Sequence, residues 1–174
     1  MVILIDTEAA LDSQWLENLG VDTSEEKLLK LNSFLVDDVS KIIADFMKGY
    51  KDEYGKLPIK EQPPVLFVVD SLGMLMTRIE LEQAESGTLK GDMGHKAKAL
   101  KRLVTYANSM FQNYNIGMAC SNHTYASQDQ YNPDPKISGG AGFFYAASIV
   151  LMMQKSKLKE DEDGNKVSEV KGLR

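Results

Sequence analysis

The chain is predicted to be an α/β protein, with a mostly parallel sheet, helices on both faces and an antiparallel hairpin at the C-terminal end. Three short apolar runs, VILID (2–6), VLFVVD (65–70) and IGMACSN (116–122), each finish on polar residues. Buried parallel strands read as continuous apolar runs of this kind. Between them lie segments with apolar residues at helical spacing, and alternation of strand with helix implies a parallel sheet. Ligands in such sheets sit beyond the carboxyl ends of the strands. Asp6, Asp70 and Asn122 each stand at such an end and are expected to converge on one site.

In chain order, VILID opens as a buried strand. ALDSQWLENLG (10–20) has helical spacing with a glycine just past its end, and KLLKLN (27–32) reads as a second strand. Residues 36–55 place Val36, Val39, Ile42, Ile43, Phe46 and Met47 on one face of an amphipathic helix. A proline-rich connection (56–64) leads into VLFVVD. Residues 71–92 begin apolar, turn acidic and end in a glycine-containing polar loop, and 93–115 reads as a long helix before IGMACSN. HTYASQDQYNPDPKISGGAG (123–142) has no helical or strand period, and loops of that length in compact domains are usually functional or disordered. SIVLMMQK (148–155) is expected to be a further strand, followed by the charged turn KEDEDGN and a hairpin partner in KVSEVKG.

At 174 residues the chain is one domain, 1–174, large enough to bury a substantial core. Its formal net charge of −5 argues against coating nucleic acid by bulk electrostatics, but leaves room for a local basic groove. No apolar run approaches the ~18 residues that span a bilayer, and MVILID lacks the basic region and cleavage site of a secretory signal. The single cysteine, Cys120, gives no disulfide framework, so a reducing interior is expected; with two distant histidines it gives no zinc spacing either.

Four constellations carry chemistry. Asp70 followed by Ser71 ends a buried strand as a magnesium–nucleotide carboxylate does, although a strand-end aspartate also simply caps the next helix. Glu8, just past the first strand, is the candidate general base, with Asp6 as its orienter; the plainer reading is an acid at the positive end of a helix. Asn122 and His123 stand where a γ-phosphate sensor would, or as a solvated loop edge. The fourth is a pair of loops, 83–92 and 124–140, the second with Tyr125, Tyr131, Lys136, Gly139 and Gly140. Aromatics stack on bases and glycine amides approach phosphates closely. His95, Lys96, Lys98, Lys101 and Arg102 between the loops form the densest basic stretch, which is either a DNA-facing surface or a solvated helix face.

LIDTEAALD, VLFVVDSLG, DMG, SNHTY and SGGAGFFYAAS, in that order and at these distances, resemble the RecA strand-exchange recombinases, most nearly the UvsX type of T4-like bacteriophages. The resemblance covers essentially the whole chain. It implies a RecA-like ATPase core that uses ATP and Mg²⁺, forms a homo-oligomeric filament on single-stranded DNA and pairs it with double-stranded DNA. Recombination mediators and single-strand-binding proteins would be its partners, in the cytoplasm of an infected bacterial host. Glu8 falls at the catalytic glutamate, Asp70 and Ser71 at the end of the Walker B strand, and Asp12 and Trp15 where the family contacts adenine. His123 takes the place of the residue that couples γ-phosphate to DNA. Met93 and Gly94 close the first DNA-binding loop, Lys98 is a basic residue behind it, and Gly139 and Gly140 match the glycine pair that meets DNA. Tyr145 falls at an aromatic position of the subunit interface.

The departures from the family are specific. The glycine-rich loop G-x-x-x-x-G-K-[ST], which supplies most phosphate contacts, is not in the sequence, and Phe144 stands where bacterial relatives carry lysine. The chain is therefore expected to be a core truncated at both ends that alone binds ATP poorly and hydrolyses it negligibly. Two other readings stay open: another RecA-fold ATPase such as a helicase motor, and a short non-enzymatic filament partner.

Overall fold

A computed structural model describes residues 1–88, 91, 94–125, 136–140, 142–153, 155–157 and 170–173, the last two stretches as backbone. Met93, Tyr131 and most of the expected second loop (126–135) lie outside the described residues.

Four strands, β1 (Val2–Asp6), β2 (Leu28–Asn32), β3 (Val65–Asp70) and β4 (Ile116–Cys120), form one sheet in the order β2-β1-β3-β4. Every ladder in it is parallel, with Ile3 opposite Phe67, Asp6 opposite Asp70 and Val69 opposite Cys120. The expected α/β class and parallel sheet are therefore present. Helices α2 (Val36–Tyr54) and α4 (His95–Phe111) pack their apolar faces on one side of it. Ile3, Ile5, Phe67 and Val69 from the strands meet Val39, Ile43, Met47, Leu100, Leu103 and Ala107 there. The face read from the sequence of α2 is the buried one, and Tyr50 extends it by a turn. On the opposite face Leu4 is buried while Leu66 stays 39% exposed, so the cover there is partial.

Two boundaries differ from expectation for local reasons. Helix α1 spans only Ser13–Asn18, rather than 10–20, because the amides of Ala10 and Leu11 are bound by the Asp6 carboxylate and Asp12 caps the helix. Residues 71–92 contain a separate helix, α3 (Arg78–Glu85), whose start is fixed by a capping box between Thr77 and Glu80.

The strand expected at 148–155 does not form over residues 148–153. Ile149 and Leu151 there are 79% and 82% exposed. Apolar, β-branched composition suits a strand but does not supply a neighbour to pair with. The antiparallel hairpin instead joins β7 (Lys155–Lys157) to β8 (Val170–Leu173). A further two-residue pair, β5 (Thr124–Tyr125) and β6 (Lys136–Ile137), closes the base of the long loop. Among the described residues no helix is long and apolar enough to cross a membrane.

Candidate functional site

The parallel register places the ends of β1, β3 and β4 side by side, so side chains just beyond them meet although they are far apart in sequence. Glu8 is the hub. Its Oε1 accepts a hydrogen bond from Ser71 Oγ at 2.9 Å and lies 2.9 Å from His123 Nε2, which donates to it. Three residues singled out separately in the sequence thus form one cluster. The bond from His123, then that from Ser71, holds the Glu8 carboxyl below the ordinary glutamate range.

The sign of that shift sets its pH behaviour. These bonds favour ionised Glu8, so their contribution is present above the ordinary glutamate pKa and fades as pH falls through the lowered value. In His123→Ala the Glu8 titration midpoint is expected to rise toward the ordinary 4.5, followed by carboxyl ¹³C NMR. An unmoved midpoint would show that the pair does not form in solution.

Backbone bonds fix the cluster. Thr7 Oγ1 accepts from the Ser71 amide at 2.7 Å and lies within reach of the carbonyls of Asp70 and Ser71, at 3.0 and 2.9 Å. This ties the β1 end to the β3 end beside the Asp70–Ser71 peptide, which is cis. Asp70 accepts from Ser121 Oγ, the first residue past β4. Asp6, only 1% exposed, accepts from the amides of Glu8 (3.1 Å), Ala10 (3.4 Å) and Leu11 (3.0 Å). Burial alone would raise its pKa, but these amides together with Lys30 hold it below the usual aspartate value. Asp6 thus binds the backbone of the segment that carries Glu8.

His123 leads away from the cluster into the loop region. Its carbonyl accepts from the Ser138 amide at 2.9 Å, and Asn122 Nδ2 donates to the Ser138 carbonyl at 2.9 Å. Gly139 and Gly140 follow in left-handed backbone, at φ +78° and +82°. A Cβ on Gly139 would lie 2.4 Å from Leu100 Cδ1, and one on Gly140 2.9 Å from Ala97 Cβ. Glycine is needed here both for the dihedral angle and because the loop lies against α4.

The other residues predicted for the site are dispersed. Asp12 caps α1 through a 2.6 Å bond from the Trp15 amide, and Trp15 is 49% exposed. Gly94 starts α4 in left-handed backbone. Tyr125 and Lys136 are exposed and opposite each other in the β5–β6 pair. Lys98 lies on α4 with Lys101, Arg102, Thr105, Tyr106 and Ser109, which line an open groove of about 510 Å³. Their spacing of three and four residues puts them on one helix face, three cations in a chain of net charge −5. Sequence reading missed Thr7, whose signal was a hydroxyl next to the strand-end Asp6, and gave no separate role to Ser121, which directly follows β4. Among the described residues no group of three or more metal-ligating side chains is present. No family model and no curated protein matches the chain.

Proposed function

We propose that the chain is the core of an ATP-dependent DNA recombinase of the RecA type, which forms filaments on single-stranded DNA and exchanges it with homologous duplex. The observation that carries this reading is the Glu8–Ser71–His123 cluster at the carboxyl ends of adjacent parallel strands, linked through Asn122 and Ser138 to the Gly139–Gly140 loop. A carboxylate, a strand-end Asp-Ser and a sensor polar group in one place are three of the parts that phosphoryl hydrolysis uses, the phosphate-binding loop being a further one.

In this reading Ser71 and His123 hold Glu8 in place beside the attacking water, and Glu8 deprotonates that water once His123 has moved off. Mg²⁺ is usually held by one or two carboxylates completed by phosphate oxygens and water. Asp70, steadied by Ser121, fits that role as a single carboxylate donor. The metal, when bound with ATP, neutralises phosphate charge. Asp12 and exposed Trp15 offer an edge and a face to a purine. Breaking the His123–Glu8 bond frees Glu8 and shifts the Asn122–Ser138 link, which moves the glycine loop against α4. Nucleotide state and DNA contact are coupled along that path.

Lys98, Lys101 and Arg102 supply the phosphate contacts of the DNA strand, with Tyr125 and Lys136 at the loop base. Each cation paired to a single-strand phosphate contributes about 0.7 to the slope of log affinity against log salt. Lys98→Ala and Lys101→Ala are each expected to weaken oligonucleotide binding irrespective of sequence and to flatten that slope by about 0.7. Fluorescence anisotropy across a salt series measures it, and an unchanged slope in both variants would remove α4 from the DNA interface. The function itself is tested by strand exchange between a single-stranded circle and a homologous linear duplex. The protein is expressed for this from its whole reading frame, and absence of joint molecules with ATP present rejects the reading.

A further inference from the structure

We propose that Lys30 is a positioning residue for Glu8, an inference that rests on Glu8 being the water-activating group of the proposed function. Lys30 lies in β2, opposite Leu4 of β1, and belongs to none of the motifs that mark the site. Its ammonium donates to the carbonyl of Leu11 and lies 3.5 Å from Asp6 Oδ2. It therefore grips both ends of the excursion from Asp6 to Leu11, the strand end and the last residue before the Asp12 cap.

The excursion needs such a grip. Ala9, its middle residue, adopts left-handed backbone at φ +52°, a conformation that L-residues other than glycine disfavour. Three amides of the excursion converge on the one carboxylate of Asp6, which is buried and charged. A buried carboxylate is costly unless its charge is met, and Lys30 is the cation that meets it. Glu8 sits inside this closed turn, so its distances to Ser71 and His123 depend on the turn keeping its shape. Because the same clamp ends on Leu11, it also sets where Asp12 begins α1. Lys30 thus fixes the hydrolytic and purine-facing parts of the segment relative to β2.

The test compares Lys30→Met, which keeps the apolar stem, with Lys30→Arg, which keeps charge and donors. Charge-assisted hydrogen bonds protect a local segment, so amide exchange at Glu8, Ala10 and Leu11 is expected to speed up about tenfold in Lys30→Met. Exchange at Ile3–Ile5 is expected to stay as in the parent, and Lys30→Arg to restore part of the lost protection. General destabilisation would speed both sets of amides alike, and that result, or unchanged exchange at the three amides, overturns the proposal.

In the protein expressed from its whole reading frame, kcat for ATP is expected to fall about tenfold in Lys30→Met, with KM changed less than about twofold. If Glu8→Gln abolishes turnover but Lys30→Met leaves kcat intact, Lys30 does not position Glu8. If Glu8→Gln itself leaves turnover intact, the reading of Glu8 as the base fails. The exchange measurement then still decides whether Lys30 holds the turn.

Discussion

Glu8→Gln is expected to lower ATP turnover by roughly 10²–10⁴-fold, the usual contribution of a positioned base, while single-stranded DNA binding stays at the parental level. The substitution is nearly isosteric. The glutamine carbonyl oxygen still accepts from Ser71 and His123, so the geometry at the three strand ends survives and only the ability to take a proton goes. The lowered pKa of Glu8 bears on the mechanism: it guarantees the ionised form at neutral pH but makes a weak base. In the proposed reading Glu8 would gain basicity when His123, its largest stabiliser, moves off, and that movement is where nucleotide state would enter. Turnover is to be measured with and without single-stranded DNA, in the protein expressed from its whole reading frame. Stimulation by DNA in the parent, lost in Glu8→Gln, is the expected pattern. Turnover indifferent to DNA would move the assignment to another RecA-fold ATPase, and turnover surviving in Glu8→Gln would take Glu8 out of the chemistry.

The strand ends were legible because buried parallel strands are apolar until the residue that reaches the site. Asp6, Asp70 and the Ser121–His123 stretch could be marked one at a time from that rule. What joined them was register, which a sequence encodes only through long-range pairing. Val69 opposite Cys120 sets Ser121 beside Asp70, and no local pattern around either residue announces it. Lys30 was hidden differently. In KLLKLN it reads as the polar member of a strand alternation, and its partners, Asp6 and Leu11, lie across β1 and the turn that follows.

The helix boundaries divided in the same manner. The apolar face of α2 was readable from its own period, whereas the start of α1 was decided by a carboxylate outside the helix. The capping box at Thr77 and Glu80 was a local signal in plain view, masked by the acidic composition of the segment after it. Residues 148–153 show the reverse failure. Their composition is that of a buried strand, yet strand formation depends on a partner edge, and these side chains stay exposed.

Phe67→Ala is expected to cost about 3–5 kcal/mol of folding stability, the range for truncating a fully buried aromatic. Phe67 is 0% exposed at the centre of β3 and packs between the two helices on that face. Its ring meets Phe46 of α2 edge-on at 5.3 Å and stacks on Phe111 of α4 at 5.2 Å. Truncation loses the transfer energy of the ring and leaves a cavity whose walls, two helices on a four-stranded sheet, cannot easily collapse. Leu66, the preceding residue, gives an internal control. It has the same strand neighbours but points to the opposite face and is 39% exposed, so Leu66→Ala is expected to cost about 1 kcal/mol or less. Urea unfolding of the two variants beside the parent, at equal slopes, measures the difference. Should the two costs coincide, the packing of α2 and α4 on β3 would not be the main core, and the strand ends it holds in register would need another source of rigidity. A large gap instead ties the strand-end cluster to the core: the ring that fixes α4 against β3 also fixes the helix against which Gly139 and Gly140 rest. Phe67→Ala should then loosen the loop as well as the fold, at temperatures where the protein is still folded.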